Sequence, residues 1–104
     1  MGQKTAYELL SGATSAAAGT AINIGGFQKA VYIEVKTTAG TPAFTIQLQY
    51  KNYLGNYEVF HEEVIDGTTD DPFIVVLKEF PWSDIRAEIT AYTSGTVSAW
   101  AYVV

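Results

Sequence analysis

The amino-acid sequence predicts an all-β domain: a single antiparallel β-sandwich, jelly-roll-like or a small barrel, with about seven or eight short strands. Apolar residues recur at every second position in several segments, as in Phe44, Ile46, Leu48 and Tyr50. This is the spacing of a strand with one buried face. Turn residues separate these segments at the intervals typical of an all-β domain.

The candidate strands follow one another along the whole chain. The first ten residues could add an edge strand, since Tyr7, Leu9 and Leu10 are apolar, and the small residues of 11–19 predict a flexible link. Strands need a second layer to cover their apolar faces. Residues 1–18 are therefore predicted to be an N-terminal arm, or an edge strand plus link, and residues 19–104 to form the sandwich. The candidate strands of the sandwich are residues 20–24, 30–36, 43–51, 57–65, 73–79, 85–92 and 97–103.

The last two segments predict a β-hairpin. A three-residue loop at residues 93–95, with its glycine in a left-handed conformation, pairs apolar residues with apolar residues on one face. A two-residue loop would mix the faces, because a slip of one residue turns the whole strand over. The hairpin leaves Tyr92, Trp100 and Tyr102 on the charged face, where Arg86 can stack on an aromatic ring.

Composition excludes several classes of protein. The 104 residues make room for one domain, and a hydrophobic share of 48% excludes intrinsic disorder. Without cysteine there is no disulfide framework and no thiol nucleophile. A net charge of −5 argues against a nucleic-acid-binding face, and the apolar runs are too short to span a bilayer. Residues 1–20 lack the pattern of a secretion signal. We expect neither nucleic acid nor membrane as a partner.

The chemistry-bearing residues do not predict an enzyme. His61 is the only histidine, and it could share a strand face with Glu63, but this pair alone is not a reaction centre. Residues 66–71 include three aspartates that could gather around Ca²⁺. The ligand offsets of the known helix–loop–helix calcium site are absent, and these are ordinary turn residues. We expect no catalytic residue, cofactor or metal, with calcium binding at residues 66–71 left open.

Aromatic residues are the stronger functional candidates. Tyr50, Tyr53 and Tyr57 surround a turn, and Trp82 and Trp100 lie further along the chain. Exposed rings either stack on sugars or anchor protein interfaces. Tyr50 and Trp82 could equally be packing residues of the core or its rim.

Three stretches resemble the small β-sandwich virion proteins of tailed bacteriophages. They are residues 19–27 (GTAINIGGF), 44–50 (FTIQLQY) and 85–97 (IRAEITAYTSGTV). In that family a Gly-Thr-apolar opening precedes a strand, a strand that begins with Phe-Thr follows, and a Tyr-Thr-Ser-Gly-Thr-Val segment closes the chain. The likeness covers residues 19–103 and is interrupted at residues 50–57.

The resemblance implies a structural protein of the virion. The first expectation is a capsid decoration (cement) protein on the capsid surface, assembled in the host cytoplasm. Its partners would be the major capsid protein and copies of itself in a homotrimer. The alternative is a carbohydrate-binding or host-attachment module of a phage tail, with Tyr53, Tyr57 and Trp82 as stacking platforms. A small enzyme centred on His61 is the third and last of the candidate functions. The interface candidates are Tyr92, Trp100, Tyr102, Arg86, Tyr53 and Tyr57.

Overall fold

The computed structural model describes residues 5–67 and 73–103, and its regular structure consists of β-strands paired antiparallel. The described residues include no helix, and the predicted all-β class is confirmed. The strands are β1 (Thr5–Ala13), β2 (Ile22–Asn23), β3 (Gln28–Lys51), β4 (Tyr57–Asp66), β5 (Phe73–Phe80) and β6 (Asp84–Val103).

Two long strands, β3 and β6, organise the fold. They pair from Val31 opposite Val103 at one end to Tyr50 opposite Ile85 at the other. A straight strand of 24 residues would be about 80 Å long, whereas the greatest extent of the molecule is 35 Å. Both strands must therefore bend, and the pairing is irregular between residues 37 and 46 of β3. We call this bend the corner.

The corner divides the molecule into two four-stranded sheets. The first sheet has the order β1, residues 97–103 of β6, residues 28–37 of β3, and β5. The second sheet has the order β2, residues 84–92 of β6, residues 43–51 of β3, and β4. Six continuous strands thus supply eight strand segments, which accounts for the predicted seven or eight.

The core lies between the two sheets as one cluster of buried side chains. It takes every second residue of the long strands, including Val31, Ile33 and Val35 in the first sheet and Ile46 and Leu48 in the second. In β3 the buried apolar positions are odd before the corner and even after it, whereas in β6 they are odd on both sides. Irregular pairing at the corner changes the parity in β3, because an extra residue in a strand turns the following residues to the other face.

The predicted hairpin at residues 93–95 is wrong. β6 continues through this segment, so Ala91 pairs with Thr45 of β3, and Val97 pairs with Thr37. The glycine in the segment has a φ of 101°, on the left-handed side as expected. It bends β6 at the corner and does not reverse the chain, because the neighbouring strand is β3 on both sides of the bend.

Tyr92 does not lie on the charged face that the hairpin predicted for it. It is opposite Phe44 and packs against the core, and its hydroxyl donates to the carbonyl oxygen of Gly95 at 2.7 Å. The reason is a bulge: Ile89 and Ala91 face consecutive residues of β3, so one residue of β6 is extra there. This extra residue inverts the side-chain direction before Tyr92.

The N-terminal residues join both sheets. Residues 5–13, in the segment predicted as an arm or edge strand, form β1 at the edge of the first sheet. The following link crosses to the second sheet, where Gly19 donates its N–H to the carbonyl of Ala87 at 2.7 Å. A Cβ atom on Gly19 would overlap the carbonyl oxygen of Leu9. The link predicted as flexible is therefore hydrogen-bonded to β6 and closely packed at its end.

Candidate functional site

The outer face of the first sheet exposes large apolar side chains. Ile74 and Val76 of β5 are 60% and 49% exposed, and Tyr32 of β3 is 37% exposed. Directly opposed residues of an antiparallel pair share a face, so the register aligns Val76, Tyr32 and Tyr102 in one row. Trp100 lies in the next row of the same face. We call the surface formed by Tyr32, Ile74, Val76, Trp100 and Tyr102 the apolar face.

One carboxylate interrupts the apolar face. Glu34 lies between Ile74 and Trp100 and accepts a hydrogen bond from the Tyr102 hydroxyl at 3.4 Å. Burial raises the pKa of Tyr102 above its usual value, and the nearby Glu34 charge adds to the effect. Tyr102 is therefore a neutral hydrogen-bond donor at physiological pH. A shallow hollow of about 230 Å³ is lined by Tyr32, Glu34, Ile74 and Tyr102.

The two central strands of the second sheet have a polar outer face that is hydrogen-bonded within itself, and Val59 and Val64 of β4 are exposed beside it. Gln49 is only 4% exposed, and its side chain donates to Gln47 and Glu88. Its oxygen accepts a hydrogen bond from Nε of Arg86 at 2.6 Å. The Arg86 guanidinium carbon lies 3.8 Å from the centre of the Tyr57 ring, so Arg86 stacks on a ring of β4 and not on the β6 rings beside which the predicted hairpin placed it. The cation–π contact between Arg86 and Tyr57 is thus made within the chain itself.

The turn between β3 and β4 presents two further exposed side chains. Tyr53 is 89% exposed and Leu54 is 71% exposed. The Asn52 side-chain oxygen holds the turn by accepting hydrogen bonds from the N–H groups of Leu54 and Asn56, at 3.0 Å each. The turn faces Trp82 across an open hollow of about 460 Å³.

Trp82 is partly packed into this end of the sandwich. Its ring stacks on Tyr50 with 4.3 Å between ring centres, and Tyr50 is 6.3 Å from the ring of Phe60. Trp82 therefore contributes one edge to the hollow while the stacking fixes its orientation.

His61 and Glu63 lie on one face of β4, as the alternation predicts. The His61 Nε2 atom is 2.8 Å from a carboxylate oxygen of Glu63, and the ring of Phe73 lies 6.1 Å away. Within residues 5–67 and 73–103, no three His, Cys, Asp or Glu side chains form a group that could hold a metal ion. The calcium loop considered at residues 66–71 falls largely outside the described residues. In the described part of the chain no helix could cross a membrane.

The six interface candidates fall on separate surfaces. Trp100 and Tyr102 belong to the apolar face, Tyr53 lies on the turn, and Tyr92 lies on the core side of the corner. Sequence reasoning missed Ile74, whose exposure helps to define the apolar face. The sequence signal was present, because residues 73–77 (FIVVL) are apolar at successive positions and would make both faces of a strand apolar.

Comparison with known proteins identifies solved structures that share this fold. No protein-family model matches the chain, and no curated protein matches it. Among solved structures, the SPBc2 prophage-derived protein YomS has a TM-score of 0.75 at 13% identity, over 97% of this chain and 92% of that chain. The PBSX exported protein XepA has a TM-score of 0.74 at 17% identity, over 97% of this chain but only 37% of XepA.

A third similar structure is CpGH89CBM32-4 of Clostridium perfringens, with a TM-score of 0.56 at 17% identity, over 89% of this chain and 72% of that chain. Identities this low show a shared fold. The resemblance drawn from the sequence is confirmed at that level: the chain has a fold that is also found in the phage-derived proteins YomS and XepA.

Proposed function

We propose that the chain is a structural protein of a phage virion, a capsid decoration (cement) protein that stabilises the head through protein–protein contacts and not by catalysis. The apolar face carries this proposal. Contiguous exposed apolar surface marks interaction sites in proteins of this size, and here it includes Ile74 and Val76, each about half exposed or more. The fold shared with YomS and XepA supports a phage setting.

The dimensions of the apolar face suggest how such a protein acts. The apolar face lies within the outer face of the first sheet, where four strands about 4.8 Å apart and about seven residues long span roughly 450 Å² in all. A stable interface buries about 800 Å² on each partner. One copy of the face therefore binds weakly, and several linked copies bind a capsid firmly because each later contact is intramolecular. In this proposal the partners are the major capsid protein and further copies of the chain, on the outer surface of heads assembled in the host cytoplasm.

The proposal is tested by co-sedimentation of the purified chain with heads of the tailed phage that encodes it. We expect wild-type chain to pellet with expanded heads and Trp100→Ala to pellet less, since Trp100 lies within the apolar face. Tyr53→Ala is the matched control, because Tyr53 is an exposed aromatic on the distant turn. Wild-type chain that stays in the supernatant, or equal losses in both variants, would contradict the proposal.

A carbohydrate-binding or host-attachment module is the second candidate. Tyr53 and Trp82 border an open hollow, and CpGH89CBM32-4 of Clostridium perfringens has a similar fold. Exposed aromatic rings stack on sugars. A glycan array, followed by titration of tryptophan fluorescence with the glycan that binds best, tests this candidate. Binding that Tyr53→Ala abolishes and Trp100→Ala preserves would favour it, whereas a silent array would remove it.

A further inference from the structure

The free edges of the two sheets differ in how they are protected. Unpaired strand edges attract other strands, and proteins protect them with charges, bulges or short strands. In the second sheet, β2 has two residues, and β4 carries acidic side chains and pairs with β3 through a bulge. In the first sheet, β1 has two register shifts along β6. These three edges are protected.

The edge of β5 lacks these protections over its first five residues. Residues 73–77 are uncharged and apolar, and Lys78 is the first charged residue of the strand. The ladder to β3 runs without a register shift from Lys78 to Phe73. Among residues 5–67 and 73–103, β3 is the strand with which β5 pairs. Alternate N–H and C=O groups of an antiparallel edge strand point away from its neighbour, so β5 can accept another strand.

We propose that a second copy of this chain pairs with β5, antiparallel and across a two-fold axis at Val75. A two-fold pairing of identical strands must put outer side chains beside outer side chains. With Val75 on the axis, Ile74 faces Val76 of the other copy and Phe73 faces Leu77. Each of these pairs is apolar, and this is the arrangement that stabilises neighbouring strands.

The alternative axis is less favourable. With Val76 on the axis, Ile74 would face Lys78 of the other copy, so a charge would lie beside an exposed apolar side chain. An axis between two residues would put the outer side chains of one copy on the inner face of the other. An axis at Val75 therefore pairs apolar residues where an axis at Val76 would pair a charge with Ile74.

Electrostatics favours β5 over the other edges as the contact between copies. The chain carries a net charge of −5, so copies repel each other, and the repulsion is weakest where acidic groups are absent from the contact. Pairing through β4 would bring its four acidic residues close to those of a second copy. Pairing over residues 73–77 opposes no charges at all.

The dimer joins two first sheets into one and places two apolar faces side by side. The outer face of the joined sheet is about twice that of one copy, roughly 900 Å² by the strand spacing, which reaches the size of a stable interface. The use of this surface on a capsid rests on the proposed function. The dimer itself rests on strand geometry and differs from the homotrimer that the sequence resemblance implied.

The dimer is tested in solution without capsids, so its failure is distinct from a failure of the proposed function. We expect light scattering coupled to gel filtration to give a dimer mass that falls on dilution. Val76→Lys should raise the dissociation constant about 10-fold, because a charged side chain replaces the apolar partner of Ile74 in both symmetry-related pairs. Val64→Lys is the matched control, since Val64 is 63% exposed on β4. A monomer at every concentration, a trimer, or a dimer that survives Val76→Lys would overturn the proposal.

A second measurement covers the case in which Val76→Lys does not fold. The chain contains no cysteine, so any disulfide in a single-cysteine variant must join two chains. Val75→Cys places the two thiols across the axis, where opposed Cβ atoms lie about 4.5–5.5 Å apart and a disulfide forms at the short end of that range. We expect oxidation to give a covalent dimer with Val75→Cys and monomer with Val64→Cys. Equal cross-linking of the two variants, or none in either, would overturn the two-fold pairing.

Discussion

Gly95 allows β6 to bend at the corner, and its replacement tests this architecture directly. Its φ of 101° is a conformation that residues with a Cβ rarely adopt. The space around it is also limited. A Cβ on Gly95 would lie 3.0 Å from the Cα of Pro42 and 3.4 Å from the side chain of Thr37. Pro42 is fully buried, so its backbone cannot easily move away.

The expected loss of stability in Gly95→Ala has two parts. The left-handed conformation costs about 1–2 kcal/mol for alanine, and the contact with Pro42 adds about 1–2 kcal/mol. The total of about 2–4 kcal/mol is a large fraction of the 5–15 kcal/mol typical of a domain. For a domain of this size the entropy of unfolding is about 0.2 kcal/mol/K, so Tm should fall by about 10–20 °C.

Gly26→Ala is the matched control because it isolates the conformational part. Gly26 has a φ of 92°, and nothing lies within 4 Å of an added Cβ. We expect it to lose about 1–2 kcal/mol, or about 5–10 °C in Tm. Thermal unfolding followed by circular dichroism measures both variants. Equal losses would refute the reasoning, since a hairpin loop at residues 93–95 projecting into solvent would show only the conformational part.

Three further predictions concern packing and ionisation. Gly19→Ala should lose about 1–3 kcal/mol in urea unfolding, because the new methyl group overlaps the Leu9 carbonyl oxygen; an unchanged midpoint would contradict the close packing of the link. Ile46→Ala should lose about 2–5 kcal/mol, because Ile46 is completely buried between the sheets, and a loss below about 1 kcal/mol would contradict that position. An absorbance titration should show Tyr102 ionising above pH 10.0, and Glu34→Gln should lower its pKa. Because folding favours the neutral phenol, the contribution of the raised Tyr102 pKa to the free energy of unfolding is complete below pH 10.0 and is lost as the pH rises through the raised pKa. If Glu34→Gln leaves the Tyr102 pKa unchanged, the Glu34 carboxylate does not contribute to the shift.

The buried faces of the strands could be predicted from alternation, but the pairing partners could not. Residues 93–95 combine small, polar and glycine residues, which locally favour a reversal of the chain. In the structure the same residues bend β6 beside the bend of β3, and an added Cβ on Gly40 would lie 3.5 Å from the Cα of Gly95. Two chain segments about fifty residues apart meet at this point, and a local pattern contains no information about such a meeting.

The apolar face could be predicted only in part, because alternation indicates side-chain direction in β6 but not in β5. Trp100 and Tyr102 occupy the outward positions of a clearly alternating strand, so the sequence placed them on the correct face. Ile74 and Val76 lie in a run that is apolar at every position, where alternation cannot indicate which side faces solvent. Their outward direction follows from the register with Tyr32 and Glu34 of β3.

The sequence by itself determined the all-β class and the buried face of most strands, because the period-two pattern is a property of each strand's own backbone. Only the tertiary structure decided that β3 and β6 run through both sheets, that the N-terminal segment forms an edge strand, and that β5 has an apolar, unprotected edge. These features depend on which distant segments pair and pack together, and the contacts that stabilise them form only when both sheets are assembled.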